Sequence, residues 1–139
     1  MKIFNPRSIA TPVYNALKKL SEEGGEKDLK EQKSQSFALY SYLATWGMMR
    51  LKAEESALQT KKDGKSIRNG KTDIIKAYFN CLEELSGEAD LVGAKGLQTI
   101  TAMGTEEYLG LTSLGLTLAQ EFSFWATAIY VDVEITGNE

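Results

Sequence analysis

Twelve residues concentrate the side chains that could meet a polyanion: Lys61-Lys62-Asp63-Gly64-Lys65-Ser66-Ile67-Arg68-Asn69-Gly70-Lys71-Thr72. Two stretches, Gly64-Lys65-Ser66 and Gly70-Lys71-Thr72, imitate the tail of a phosphate-cradling P-loop. That motif needs a glycine five residues before its second glycine, and Lys65 stands there instead. No strand-like run precedes the window either. With two glycines and an Asn-Gly turn dipeptide, residues 61–72 are expected to be an exposed basic loop that meets phosphate through charge, not through a cradle.

Charge is distributed unevenly around this window. Between Arg50 and Lys76 there are eight basic and four acidic residues, whereas residues 83–107 carry six acidic residues against Lys95 alone. The formal net charge is −3, which by itself disfavours a nucleic-acid binder. The local excess suits a surface that neutralises phosphates next to one that meets protein. Two ordinary solvated faces would also account for it.

Other chemistry is limited by what is missing. The chain has no histidine and one cysteine, which removes Ser-His-Asp and Cys-His catalysis and any zinc site of four nitrogen and sulfur ligands. Cys81 cannot form an internal disulfide and reads as a core thiol. A carboxylate-based enzyme ranks last, because no acidic pair sits in a recognisable motif. No enzymatic activity, cofactor or metal is expected.

The elements that would position the basic window read as helices throughout. The 139 residues, 42% hydrophobic and 25% charged, fit one globular domain spanning 1–139. No strand-like alternation is sustained. Thr11-Pro12 should open a first helix that ends at Gly24-Gly25. A long helix over roughly 28–62 follows, with Glu26 and Lys30 spaced for an ion pair and an apolar series Phe37, Tyr40, Leu43, Ala44, Gly47, Met48 and Leu51. The aromatic set Phe37, Tyr40, Tyr42 and Trp46 could stack on bases, although a helical stripe more often enters a core. Tyr42 stays open because it falls off the stripe.

Beyond the window, Thr72 should cap a helix that buries Ile74, Ile75, Tyr78, Phe79, Leu82 and Leu85 and closes at Ser86-Gly87. Residues 88–103 read as a shorter helix. Residues 105–131 read as the long helix against which the others pack, capped by Thr105 with Glu106 and Glu107 in its first turn. Its stripe is Tyr108, Leu111, Leu114, Gly115, Leu118, Phe122, Trp125 and Ile129, and close approach of another helix would explain Gly110 and Gly115. Gln120 and Glu121 in mid-segment argue against a membrane span. The expectation is an all-α, single-domain bundle of about five helices, two of them long, in a cytoplasmic protein: the short, polar opening Met-Lys-Ile-Phe-Asn-Pro is unlike a signal peptide.

Tyr108, Thr112, Leu116, Leu118, Trp125 and Ala126, with Gly96-Leu97-Gln98-Thr99 ahead of them, resemble the C-terminal part of the small α-helical subunit of Cmr-type (type III-B) CRISPR RNA-guided effector complexes. That resemblance implies a non-catalytic subunit, present in copies of itself, that stacks along guide RNA and target RNA beside other CRISPR effector subunits. The family's basic residues near its Trp-Ala segment have no counterpart here. Phosphate contact is therefore expected from Lys61, Lys62, Lys65, Arg68 and Lys71, with Arg50 and Lys52 behind them. A helical adaptor or oligomeric structural protein with no nucleic-acid role is the rival from another class.

Overall fold

A computed structural model of the chain describes residues 6–58 and 70–134. Among the described residues the fold is all-helical, with six helices: α1 Pro6–Glu23, α2 Glu26–Trp46, α3 Met48–Leu58, α4 Gly70–Ser86, α5 Gly96–Ala102 and α6 Thr105–Ile129. Helix α6 packs against α1, α2 and α4, and α1 and α2 each lie against both α4 and α6. Two polar contacts orient α2 and α6. The Tyr130 hydroxyl donates to Gln32 Oε1 at 2.7 Å, and the Met49 amide donates to the Tyr108 hydroxyl at 3.3 Å. The start of α2 thus meets the end of α6, and the first turn of α3, just past the end of α2, meets the start of α6, so α2 and α6 run antiparallel. Lys33 closes the same corner, donating to the carbonyls of Tyr130 and Val133 at the end of α6.

The core forms where the apolar spacing places it. Ile74, Ile75, Tyr78, Phe79 and Leu82 of α4 meet Leu111, Leu118, Ala119, Phe122 and Ala126 of α6, with Val13 and Leu17 from α1 and Leu39 and Leu43 from α2. Gly115 brings α4 and α6 close: the Tyr78 hydroxyl donates to its carbonyl at 2.9 Å, and a Cβ there would collide with that hydroxyl and with Met48. Gly110 is different, because nothing lies near its missing side chain, and close approach does not explain it. No helix among the described residues is long and apolar enough to cross a membrane.

The helix count exceeds the expected five because the run expected over 28–62 is two helices. Gly47 breaks it with φ +89° and ψ 165°, a combination that is essentially glycine-only. Chain reversal there turns Met48, Leu51 and Lys52 into the interior. Three further boundaries differ from the sequence expectation. Helix α1 begins at Pro6 and carries Pro12 inside it; burying Ile9 one turn before Val13 extends the apolar edge past the proline. Helix α4 begins at Gly70, not Thr72: the Gly70 amide donates to Glu31 Oε1 at 3.0 Å, so Gly70, Lys71 and Thr72 belong to a helix and not to a loop. Finally, most of residues 88–95 are irregular. Glu83 Oε1 accepts the amides of Leu91 and Val92 at 3.0 Å each, and Asp90 and Gly93 take positive φ.

Candidate functional site

Of the seven cations expected to meet phosphate, Lys61, Lys62, Lys65 and Arg68 lie outside the described residues. The other three have distinct environments. Arg50 and Lys71 come together near the surface on α3 and α4. Lys52 does not join them and is corrected here to a core residue: it is 1% exposed, bound to Glu55 at 2.6 Å and placed 4.6 Å from the centroid of the Phe79 ring. Its aliphatic stem fills the space that a side chain at Gly96 would need. A lysine enclosed in this way cannot reach a phosphate.

Around Glu54 the elbow between α2 and α3 builds a surface cluster. Lys71 donates to Glu54 Oε1 at 2.6 Å, and the Tyr42 hydroxyl donates to Glu54 Oε2 at 2.7 Å. Lys71 foremost, and Tyr42 after it, hold the Glu54 carboxyl below its usual range. Burial chiefly, then Glu54, raises Tyr42 above the ordinary phenol value, while Arg50 beside it pulls the other way. Tyr42 therefore stays a neutral donor, and Glu54, paired with Lys71, is the one carboxylate beside two cations, Lys71 and Arg50. That leaves the cluster positive, able to accept an anion in exchange for Glu54.

Arg50 also faces the other way. Its guanidinium carbon sits 4.3 Å from the centroid of the Trp46 ring, and Trp46 is 54% exposed. Phe37 and Tyr40 are exposed as well, so of the aromatic set in α2 only Tyr42 is partly enclosed. Of the stripe expected to enter the core, Leu43, Met48 and Leu51 are buried while Phe37 and Tyr40 lie on the surface, because α2 turns Gln32, Ser36, Leu39 and Leu43 inward. Trp46 and Arg50 form one wall of a groove of about 800 Å³, whose far wall comes from Leu97 and Thr101 of α5 and Thr105, Tyr108 and Leu109 of α6.

Reading the sequence did not pick out Met49 or Glu54 as site residues, and Leu109, an apolar residue beside the stripe of the long helix and expected to meet a neighbouring helix, is exposed. The signal available for Glu54 was its spacing four residues from Arg50, one helical turn on the same face. On the acidic side, Glu83 and Glu107 are engaged with backbone amides of their own stretch, so these two carboxylates are held locally. Cys81 is buried, its thiol pushed up to about 12 by burial and secondarily by Glu84, and it takes no part in the surface cluster. Among the described residues no group of three His, Cys, Asp or Glu side chains could hold a metal ion. Comparison with protein-family models, with curated proteins and with solved structures returns no match.

Proposed function

We propose that this protein is a non-catalytic small subunit of a type III CRISPR ribonucleoprotein effector complex, lying along guide and target RNA and neutralising their phosphates. The observation that carries the reading is the Arg50–Tyr42–Glu54–Lys71 cluster, a net-positive surface on α3 and α4, the two helices between which the sequence carries Lys61, Lys62, Lys65 and Arg68. The helical residues Tyr108, Thr112, Leu116, Leu118, Trp125 and Ala126 support the family assignment. In this mechanism the protein makes and breaks no bond. Its cations release counterions from the RNA backbone, and pairing between the two strands carries the sequence information.

Replacing Lys61, Lys62, Lys65 and Arg68 together by alanine should weaken binding of a labelled single-stranded RNA and make it less sensitive to salt. If all four meet phosphate, the slope of log K against log[salt] should become shallower by about 3, since each contact on a single strand contributes roughly 0.7. Unchanged affinity and slope would overturn the assignment. A helical adaptor with no nucleic-acid role is favoured by one observation, the exposure of Trp46, Met49 and Leu109 around one groove. Purification from the native host separates the two: a small guide RNA comes with a CRISPR subunit, and protein alone comes with an adaptor.

A further inference from the structure

Phosphate neutralisation makes no use of the groove beside Arg50. Three large apolar side chains border it in exposed positions, Trp46 at 54%, Met49 at 47% and Leu109 at 61%, and no carboxylate among the described residues lines it. Its one charged lining residue is Arg50, already placed over one face of the indole. The Tyr108 hydroxyl, accepting from the Met49 amide, keeps its own proton to donate. The groove therefore combines a flat aromatic wall, a positive rim and few polar groups.

We infer that this groove takes an unpaired nucleobase of the bound RNA, stacked on Trp46, with Arg50 meeting that nucleotide's phosphate. The inference deepens the RNA-binding reading and rests on it. Neighbouring side chains lead from the groove to the basic side: Lys71 pairs with Glu54 at 2.6 Å, Glu54 stands one helical turn from Arg50, and Arg50 lies over Trp46. A strand that meets Lys71 and Arg50 would thus pass the opening. Every nucleobase has a π face, so stacking here would be tolerant of sequence. A protein helix laid in the groove would instead cover Arg50, whose neighbouring carboxylate, Glu54, is already paired with Lys71 and does not line the groove. A nucleotide brings the counter-charge on the same unit as the ring.

The test uses the full chain carrying Trp125→Phe, which makes Trp46 the sole tryptophan. It is titrated with a single-stranded oligoadenylate and with a blunt RNA duplex of equal phosphate number. The single strand should quench Trp46 fluorescence and the duplex should not. Trp46→Ala should lower single-strand affinity about 5- to 150-fold, the range for losing one stacked base, with the salt slope unchanged. Leu109→Ala on the facing wall should act in the same direction, and Trp46→Phe should retain most of the binding. If Trp46→Ala binds as before and no quenching occurs while the Lys61, Lys62, Lys65 and Arg68 substitutions still flatten the salt slope, the base site is wrong and the phosphate reading stands. If neither RNA binds, both readings fall. Loss of a protein partner with RNA affinity intact would also overturn the base site.

Discussion

Helix α3 takes part in two lysine–glutamate contacts of equal length, Lys52 with Glu55 and Lys71 with Glu54, both at 2.6 Å. The side chains of the first pair are 1% and 3% exposed, those of the second 41% and 31%. Burial removes from Lys52 the hydration that a free ammonium keeps, and Glu55 together with the Phe79 ring replaces it. Lys71 retains water on its open side. The same residue types at the same distance therefore do different work. The inner pair fixes how α3 lies on α4 and α5, while the outer pair keeps a cation in place and leaves it exchangeable.

The largest expected effect comes from breaking the inner pair. Glu55→Gln leaves Lys52 buried without its anion and should cost about 3–5 kcal/mol of stability, read as a lower urea midpoint. Replacing both partners, Lys52→Met with Glu55→Leu, removes the charges together and should recover most of that loss. The double variant should bind RNA with an unchanged salt slope, because Lys52 reaches no phosphate; a shallower slope would return Lys52 to the interface.

Gly96→Ala attacks the same contact from its other side. The added methyl would run into the Lys52 stem and the Leu91 carbonyl, and because one of the two is backbone, the chain must shift. A loss of about 1–3 kcal/mol is expected from overpacking. Gly110→Ala supplies the contrast: it sits in an exposed stretch of α6 with nothing near the new methyl, and should stabilise by up to about 1 kcal/mol through helix propensity. Thermal unfolding of the two variants should move in opposite directions.

These contrasts mark how far the sequence could be read. The all-helical class and the faces of α4 and α6 followed from apolar spacing, because a core helix must repeat its buried residues every three or four positions. Ile74, Ile75, Tyr78, Phe79 and Leu82, and Leu111, Leu118 and Phe122, are buried where that spacing places them. The elbow at Gly47 was not legible, since a lone glycine within a helical pattern costs only about 1 kcal/mol and is often tolerated. Past the break Met48 and Leu51 are buried as the stripe has them, but Lys52 and Glu55 are buried beside them. Two residues on either side of the elbow differ from the expectation. Trp46, grouped with aromatics expected more often in a core, is exposed at the end of α2, and Lys52, expected on the basic surface, is buried in α3. Leu91 and Val92 misled in a similar way, being apolar residues at helical spacing held in an irregular stretch by the Glu83 carboxylate.

The smallest effect on stability belongs to the outer pair, and it carries the most information about function. Exposed ion pairs contribute about 0–1 kcal/mol, so Glu54→Gln should change the unfolding midpoint little. The pH dependence has a definite sign. A carboxyl depressed in the folded state adds stability above its ordinary value of 4.5, and that stability is lost as pH falls through the lower folded value. The acid side of the stability curve, below about pH 4.5, should therefore be slightly flatter in Glu54→Gln than in the parent. RNA binding at neutral pH should respond in the other direction, because Glu54 is the anion that a phosphate must displace from Lys71 and from the neighbourhood of Arg50. Removing it should raise single-strand affinity by up to about 5-fold, equivalent to roughly 1 kcal/mol, and steepen the salt dependence. Unchanged affinity at low salt would show that Glu54 does not compete with the backbone, and the outer pair would then differ from the inner one only in its exposure to water.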